Sequence, residues 1–584
     1  MTEREVVVAA LVVAVAAGLA IGAPWWLSVG SVVAAAVIRR PVVVMAALAV
    51  AAGVLGARAE AGLTAPSGRV EGVATLVTDP QPRPGGVVVE LRLSGRRFRS
   101  FVGEDLSAQL RQAAMGEEVL VRGSVVELDG PWEWRASRHL AGRLRVLAIE
   151  RVGPGDWWWT AANWVHRTVD SGLGSFDEAE RSLFSGILFG DDRGQSEVDR
   201  FRFRSAGMSH LTAVSGQNVG FVLLVLSPLI GRVRLGARWG LTALALSWFA
   251  MVTRLEPSVL RAVAMAMVAA TVLWWGRYAS VLRVLAVAVI VVLMVDPLLV
   301  WSMGFRLSVA ACASIVVLAR PLAERIPGPP LLAQALAVAL AAHAGTAPVL
   351  VSFAGTVPVL GPVWNLLAVP VAGWLMVWGL VTAPLAGIVG EPFATMVGVP
   401  SRAMLSWLEA VAAFGASPGW PRWSAVGAFA SSALVVLAAL PAEWLRHLSS
   451  MARRATLAAL VVLALADGAG VLAGRTAVVG SANVESGDQA IVLILKPGVS
   501  ERVTLEAVSR CRCRRLDVVF VLGRGRSAAN AVWSVREVVE VGTVFAQRPD
   551  EIRDAHQLPE GVVRVGDLRL DVRPTGAIAV ASAG

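Results

Sequence analysis

The chain has 584 residues, of which 56% are hydrophobic and only 16% are charged. Soluble globular proteins carry about 45–50% apolar and about 25% charged residues, so this composition excludes a soluble enzyme, a disordered chain and a disulfide-stapled secreted domain. The formal net charge is +10, but it comes almost entirely from arginine in a chain rich in Ala, Val and Gly, and is weak evidence for a nucleic-acid ligand. We therefore expect an integral membrane protein with two polar blocks, at about residues 58–160 and 475–584.

Apolar runs that approach the length of a membrane span fill the rest of the chain. A span needs about 20 mostly apolar residues, and Gly, Pro or Arg divide the runs into about 13 candidates. Three precede the first polar block, at about 5–21, 24–38 and 41–57. Ten follow it, at about 208–230, 238–253, 257–275, 283–300, 303–318, 330–353, 362–386, 403–415, 424–441 and 455–473. The prediction is a polytopic α-helical membrane protein.

The arginines predict how this chain lies in the membrane. Short cytoplasmic loops are enriched in Lys and Arg, and when the candidate spans are counted, the arginine clusters between them all fall on one side. The clusters are Arg39 and Arg40; Arg232, Arg234 and Arg238; Arg277 and Arg283; Arg320 and Arg325; and Arg446, Arg453 and Arg454. We therefore expect a multi-pass protein of the plasma membrane, with a cytoplasmic N-terminus and both polar blocks on the outer face.

The first polar block has the pattern of short β-strands. Apolar and polar residues alternate, with Pro and Gly turns between runs at 69–77, 86–102, 117–128 and 142–152. About five strands in about 90 residues predict a small extracytoplasmic barrel such as an OB-fold, over residues 58–155. The run GDWWWTAANWVHRTVDSGL follows it, and its tryptophans predict an amphipathic helix at the membrane interface within residues 156–182.

Arginines in this block alternate with aromatic residues, as in proteins that bind single strands with a basic groove and stacking side chains. The best local example is RRFRSF, which contains the candidates Arg96, Arg97, Phe98, Arg99 and Phe101. The sequence leaves two alternatives open, which are a solvated strand edge and a contact with anionic lipid headgroups. The wider set adds Arg92, Arg111, Arg122, Arg135, Arg138, Arg143, Arg145, Trp132 and Trp134.

The run LFSGILFGDDRGQSEVDRFRFRSAGMSHLTAVSGQNVGFVLLVL, residues 183–226, is the most specific stretch of the chain. It is followed by PSVLRA at 257–262, DPLLVWSMGFRLS at 296–308 and AGTAPVLVSFAGTVPVLGPVWNLLAVP at 344–370. Together and in this order, these motifs resemble the ComEC/Rec2 family of DNA-internalisation competence proteins. The resemblance implies an inner-membrane channel, here residues 183–474 after N-terminal membrane helices at 1–57, that takes up single-stranded DNA during natural transformation.

The resemblance also implies partners beyond single-stranded DNA and membrane lipids. They are an extracytoplasmic DNA receptor and a separate cytoplasmic motor or DNA-binding protein. A separate motor is expected because the chain has no G-x-x-x-x-G-K-[ST] phosphate loop. The sequence leaves the oligomeric state open, and a homo-oligomer is one of the assemblies that it allows.

A path for a polyanion needs cationic or hydrogen-bonding groups at membrane depth, where they are too costly to face lipid. The DNA-path candidates are His210, Ser215, Gln217, Asn218, Arg261, Arg306 and Asn365.

Each candidate also has a structural interpretation. Arg261 could pair with Glu256, Arg306 could stabilise a helix end or pair with Asp296, and Asn365 could hydrogen-bond a neighbouring helix. His210 and Ser215 could hydrogen-bond within a broken helix at Ser215-Gly216. Asn218 stands where the family pattern has histidine, so a proton relay or a metal site is not expected there.

The second polar block, residues 475–584, mixes strands with a helix predicted over 528–542, as in a small α/β domain. ANVESGDQAIVLIL at 482–495 resembles the opening strand of the metallo-β-lactamase-like domain found in many relatives. The His-x-His-x-Asp-His metal-binding run of that domain is replaced by GRGRSAANAVWS. We expect a degenerate domain with no metal and no cofactor, and a protein that is not an enzyme.

Two other functions are compatible with the sequence. The first is a transporter of another polyanionic or lipid-linked substrate that uses the same fold, because a fold does not determine a substrate. The second is a membrane-anchored metallohydrolase, against which the missing histidines argue most strongly.

Overall fold

The computed structural model describes residues 2–19, 41–65, 67–83, 85–128, 130–214, 216–276, 278–417, 420–440, 450–468, 476–486, 490–511, 513, 515–573 and 578–582. The predicted span at 24–38 and the candidate Ser215 lie outside these residues. The chain forms two compact units. The first contains Met1–Gly194, Ala213–Val316 and Gly373–Ala403, and the second contains Gln195–Thr212, Val317–Ala372 and Met404–Gly584.

Helices form most of the described chain outside the polar blocks. In chain order they are α1 (Glu3–Leu19), α2 (Pro41–Ala61), α3 (Glu104–Ser107), α4 (Trp132–Ser137), α5 (Trp157–Gly172), α6 (Glu178–Phe189), α7 (Glu197–Ser205), α8 (Ser209–Thr212), α9 (Gly216–Ile230), α10 (Leu235–Val252), α11 (Pro257–Trp274), α12 (Val281–Val295), α13 (Met303–Ala323), α14 (Pro330–Ala354), α15 (Gly361–Val389), α16 (Phe393–Gly415), α17 (Ala425–Ala439), α18 (Ser450–Gly468), α19 (Glu501–Cys511) and α20 (Arg526–Arg536). Short 3₁₀ helices lie at Pro297–Trp301 and Pro549–Glu551.

The predicted spans that fall on described residues are helical. Among the described helices, α2, α11, α13, α14 and α15 are long and apolar enough to cross a membrane. The helices α9, α12 and α17 are apolar but shorter. The structure thus supports a helical membrane protein, and the count of about 13 spans stays a prediction.

The predicted span at 208–230 is interrupted near its start, where α8 ends at Thr212 and α9 begins at Gly216. Gly207 precedes the interruption with a φ of 75°, a left-handed backbone conformation that favours glycine. Upstream, α6 begins with a capping box in which the Asp177 carboxylate accepts the backbone N–H of Glu180 at 2.7 Å. It ends at Gly190, which has a φ of 77°.

The first polar block forms one β-sheet in the first unit. Its strands are β1 (Gly68–Leu76), β2 (Gln81–Arg83), β3 (Gly86–Leu93), β4 (Arg96–Gly103), β5 (Glu118–Val126) and β6 (Leu140–Gly153). The strand order is β1-β5-β6-β4-β3-β2, and β1 also pairs with β3. Neighbouring strands are antiparallel except β4 and β6, which are parallel. The pairings of β1, β5, β6, β4 and β3 therefore run in a closed ring.

The run predicted at 86–102 is a hairpin of two strands, because Ser94 and Gly95 both have positive φ angles, 50° and 77°, and reverse the chain. Alternate residues of the strands point into one apolar core. Val89 and Leu91 on β3 meet Val119 and Val121 on β5 in this core, and all four are fully buried. The alternation of apolar and polar residues in the sequence matches the burial of β5, in which every second residue is buried.

The second polar block forms an α/β layer in the second unit. Its strands are β9 (Thr476–Val479), β10 (Ala482–Ser486), β11 (Ile491–Leu495), β12 (Arg515–Val521), β13 (Glu540–Ala546), β14 (Ala555–Gln557), β15 (Gly561–Val565), β16 (Leu568–Val572) and β17 (Ile578–Ser582), and they follow the two-stranded pair β7 (Val357–Pro358) and β8 (Arg422–Trp423). Strands β11 to β14 are parallel, whereas β9 and β10 are antiparallel. One face of this sheet packs on α19 and α20, and the other packs on β15–β17.

The helix predicted over 528–542 is wrong in its last residues. The structure ends α20 at Arg536 and begins β13 at Glu540. Val541 and Val544 belong to that strand, and Val544 is fully buried beside β12. Valine is favoured on a half-buried pleated surface, and Val541 and Val544 therefore extend as a strand after the turn at 537–539.

Candidate functional site

The β4 strand divides the predicted RRFRSF residues between the core and the surface. Successive side chains of a strand point to opposite faces. Phe98 is 4% exposed in the apolar core of the first sheet, so it packs the fold and is not available to stack with a ligand. Phe101 is 51% exposed. Arg96 and Arg97 are half-buried, and Arg97 lies opposite Arg92 of β3.

Four of the arginine and aromatic side chains of this block line one groove of about 540 Å³. We call it the aromatic groove, and its lining residues are Val88, Arg99, Ser100, Phe101, Leu128, Trp134 and Arg143. Arg99 of β4 lies directly opposite Arg143 of β6 in the parallel pairing. The guanidinium of Arg99 lies over the ring of Trp134, 4.8 Å from its centroid, which is cation–π geometry.

Positive charge is concentrated at the aromatic groove. Burial lowers the pKa of Arg99, and the neighbouring Arg138 lowers it further. Arg138 donates to the Glu90 carboxylate at 2.8 Å, and the Glu90 side chain is only 6% exposed. The negative charge of Glu90 thus compensates the positive charge of Arg138. Crowded arginines beside the exposed ring of Phe101 and the partly buried ring of Trp134 form a surface that favours an anionic, planar ligand.

Arg261, on α11, is deeply buried in the first unit and is 2% exposed. Its Nη1 donates to the Sγ of Cys312 at 3.1 Å and to the Sδ of Met265 at 3.3 Å. The alternative that Arg261 pairs with Glu256 is wrong, because its partners in the structure are these two sulfur atoms. The Nε atom of Arg261 has no hydrogen-bond partner among the described residues.

The first turn of α9 lies beside Arg261. A Cβ atom added to Gly216 would lie 3.0 Å from Nη2 of Arg261. Asn218 is buried in the same turn and donates to the Ile187 carbonyl of α6 at 3.0 Å, and Gln217 is exposed. The structure thus places the first turn of α9 beside Arg261, while the Asn218 side chain is bonded to α6.

His210 and Asn365 meet at a different place, in the second unit. The Nδ2 of Asn365 donates to the carbonyl of Gly207 at 3.2 Å and to that of Gly361 at 2.9 Å. His210 is exposed and hydrogen-bonds to the backbone of Gly207. Both side chains therefore hold the turn between α7 and α8, and the Asn365 partner is a turn carbonyl rather than a neighbouring helix.

Arg306 stabilises a helix start. Its Nε donates to the Val300 carbonyl of the preceding 3₁₀ helix at 2.7 Å, and its guanidinium lies over the Trp301 ring, 5.2 Å from the centroid. The alternative of pairing with Asp296 is wrong, because Asp296 is bonded to His139 at 2.9 Å. The structure thus favours the helix-end interpretation of Arg306.

A polar cluster that the sequence analysis did not predict joins the first sheet to two helical segments. The Nε of Arg254 donates to Asp79 at 3.0 Å, and its Nη1 donates to Asn163 at 2.7 Å. Asn163 in turn donates to the carbonyl of Met115 at 3.0 Å. The only signal in the sequence is an arginine in a loop that follows an apolar run, and nothing local connects it to Asp79, 175 residues earlier.

Asp191 lies near this cluster. Burial acts to raise the pKa of Asp191, but hydrogen bonds from Arg193 outweigh it and hold that pKa below its usual value. The Nε and Nη2 of Arg193 lie 2.7 and 2.5 Å from the two carboxylate oxygens, which is bidentate geometry. The carboxylate is therefore fully engaged by Arg193.

Residues 187–446 match the family model described as Competence protein. We call this range the Competence-family segment, and it contains Asn218, Arg261, Arg306 and Asn365. The predicted ComEC/Rec2-type resemblance is confirmed there. The helices α11, α13, α14 and α15 lie in the Competence-family segment, which is therefore part of a helical membrane protein.

A relative from Aquifex aeolicus (strain VF5), described as an uncharacterized protein, is 32% identical over 185 residues. The aligned part is 31% of this chain and 43% of the relative, so the chain spans less than half the length of that protein. No solved structure matches the chain.

The C-terminal domain bears on the expectation that the protein is not an enzyme. Among the residues that the structure describes, no group of three or more His, Cys, Asp or Glu side chains is arranged to hold a metal ion. Gly487 and Asp488, which carry part of the metallo-β-lactamase-like resemblance, lie outside the described residues. The absence of hydrolytic activity stays a prediction.

Proposed function

We propose that the protein is an inner-membrane channel that takes up single-stranded DNA during natural transformation and has no nuclease activity of its own. The Competence-family segment supports a role in DNA uptake. The observation that carries the proposal is the aromatic groove, in which Arg99, Phe101, Trp134 and Arg143 lie together.

The first sheet is proposed to be an OB-like barrel over residues 58–155. Two observations support this, namely the closed ring of pairings through β1, β5, β6, β4 and β3, and the parallel pairing of β4 with β6. OB-folds bind single strands along one face of the barrel. In this proposal the aromatic groove is that binding face.

The aromatic groove offers partners for both chemical components of a single strand, the bases and the phosphates. Phe101 offers an exposed ring for a base, and base–aromatic stacking contributes about 1–3 kcal/mol per base. Arg99 and Arg143 offer guanidinium groups for the phosphates, and the stacking of Arg99 on Trp134 holds its fork in position. Neither component reads base edges, so binding should depend weakly on sequence.

The membrane arrangement is proposed to have about 13 spans, a cytoplasmic N-terminus, and both the barrel and the 475–584 domain outside the cytoplasm. The exposed rings of Trp157 and Trp164, 74% and 56% exposed, support α5 as an interfacial helix. The 475–584 domain is proposed to be a degenerate, non-hydrolytic metallo-β-lactamase-like domain. An extracytoplasmic receptor and a cytoplasmic motor are proposed to deliver and pull the strand.

Replacing Phe101 by Ala should weaken binding of a fluorescent single-stranded oligonucleotide by about tenfold, because one stacked base loses its ring. The measurement is fluorescence anisotropy with the full-length protein in detergent. Val73→Ala is the matched control, since Val73 is also 51% exposed on the first sheet but does not line the groove. Equal affinities for both variants would contradict the proposed binding face, and no oligonucleotide binding at low salt would favour another polyanionic or lipid-linked substrate.

A further inference from the structure

His166 is a half-buried histidine of α5 that lies beside the polar cluster around Arg254. Its Nε2 lies 2.7 Å from the carbonyl oxygen of Val252. Because a carbonyl only accepts hydrogen bonds, Nε2 carries the proton of the neutral ring. The ring also packs against that of Phe189, with the two centroids 4.9 Å apart. The second ring nitrogen, Nδ1, is therefore the atom at which His166 takes up a further proton.

Two side chains of α5 hold this helix to the end of α10 and to the loop that follows it. Asn163 and His166 are three residues apart and therefore share a face of the helix. The Oδ1 of Asn163 accepts from Arg254 at 2.7 Å, while His166 donates to Val252, two residues before Arg254. Arg254 also donates to Asp79, between β1 and β2, at 3.0 Å. His166 thus lies beside the ion pair that joins the first sheet to the Competence-family segment.

The charged groups that face His166 come from three other elements, and their charges balance. Asp79 follows β1, Arg254 follows α10, and Asp191 follows α6 together with its partner Arg193. Each carboxylate is already held by an arginine, since Arg254 lies 3.0 Å from Asp79 and Arg193 binds both oxygens of Asp191. A proton on His166 therefore adds a positive charge to a cluster whose carboxylates are both engaged.

The surroundings of His166 favour its neutral form. Burial lowers the pKa of His166 from its ordinary value of 6.5, and the positive charge of Arg254 lowers that pKa further. The bond to the Val252 carbonyl and the charges of Asp79 and Asp191 act in the opposite direction and are outweighed. A histidine whose pKa is lower in the folded than in the unfolded protein stabilises the fold above about pH 6.5. This stability is lost as the pH falls through the folded-state pKa.

We infer that His166 is an acid-sensitive latch, whose protonation loosens the junction between the first sheet and the Competence-family segment. Arginine keeps its charge at every physiological pH, whereas histidine changes its charge between about pH 5 and pH 8. The added charge repels Arg254, so the bonds from Arg254 to Asp79 and Asn163 are those that weaken. The latch concerns the attachment of the first sheet and does not rest on DNA as the ligand of the aromatic groove.

The test measures amide hydrogen exchange of the full-length protein in detergent at about pH 7.5 and at about pH 5.5. The N–H of Met115 reports on the junction, because it donates to the Asp79 carboxylate at 2.7 Å, and the amides of β5 are the internal reference. His166→Gln removes the titrating group and retains an N–H donor for Val252. At the higher pH the two proteins should exchange alike at Met115. At the lower pH the unmodified protein should exchange several-fold faster there, with equal exchange in β5.

Comparing the proteins at the same pH removes the pH dependence of the exchange chemistry itself. His556→Gln is the matched control, since His556 is exposed in the second unit, and it should exchange as the unmodified protein does at both values of pH. His166→Asn is a second variant that does not titrate, and it replaces His166→Gln if that variant does not fold.

Equal exchange at Met115 in the unmodified protein and in the His166 variants at the lower pH overturns the latch. So does a loss of protection that is the same at Met115 and in β5, because acid then loosens the whole first sheet. Either outcome leaves the proposed function standing, since the residues that line the aromatic groove include no histidine. Conversely, failure of the groove to bind an oligonucleotide leaves the exchange result unchanged.

Discussion

Replacing both Arg99 and Arg143 by Gln should lower the affinity of the full-length protein for single-stranded DNA by at least about 100-fold. Each arginine is placed to make a charge-assisted hydrogen bond to a phosphate, and such a bond contributes about 1.5–3 kcal/mol. The salt dependence should change as well. The slope of log K against log salt concentration should fall by about 1.4, because each phosphate contact on a single strand contributes about 0.7.

The control for this double variant removes the same charge from the same polar block. Arg69 and Arg111 are exposed and do not line the aromatic groove. Changing both to Gln should leave the affinity within about twofold, since exposed charges outside the contact are screened at physiological salt. If the two double variants lose the same affinity, binding is a general effect of net charge and the groove is not its site.

Replacing Arg254 by Met should destabilise the protein by about 3 kcal/mol. The Asp79 side chain is 11% exposed and Arg254 is its nearest charged partner, at 3.0 Å, while Arg193 lies 3.8 Å away. Removing one member of a buried ion pair leaves an uncompensated charge, which costs about 3–5 kcal/mol. The measurement is the Tm of the detergent-solubilised protein, followed by limited proteolysis of the connection between the first sheet and α5.

A second substitution identifies the cause of the stability lost in Arg254→Met. Asp79→Asn removes the stranded charge and retains an oxygen for the Met115 N–H, so the Asp79→Asn, Arg254→Met double variant should recover most of the stability. Arg320→Met is the surface control, because its side chain is 90% exposed and its pair with Glu324 should contribute less than about 1 kcal/mol. Additive losses at Asp79 and Arg254 would contradict the ion-pair explanation.

The elements of this fold follow from sequence wherever the local pattern is strong. The apolar runs predict helices that are long and apolar enough to cross a membrane, and the alternation in EVLVRGSVV matches the buried face of β5. The residues at which the helices and strands begin and end are less predictable. The pattern over 528–542 predicts a helix that is too long, because residues 538–541 continue an apolar pattern that fits either a helix or a strand, and only the neighbouring β12 decides between them.

The candidate site could be predicted as a set of residue types but not as a geometry. RRFRSF indicated a basic aromatic surface, yet the strand pleat that buries Phe98 and exposes Phe101 depends on the register of β4. Arg143 joins Arg99 only because β6 pairs with β4, and Trp134 reaches Arg99 from α4. One partner of Arg261 is equally non-local, since Cys312 is 51 residues away, whereas the other, Met265, is four residues away on the same helix.

Internalisation of labelled DNA in a strain that lacks this protein tests the central claim most directly. Uptake of the label into the cytoplasm should be lost in the deletion strain and restored by the unmodified protein. The Arg99→Gln, Arg143→Gln variant, expressed in the membrane at the same level, should restore only a small part of it. Unchanged cytoplasmic label in the deletion strain would contradict the account.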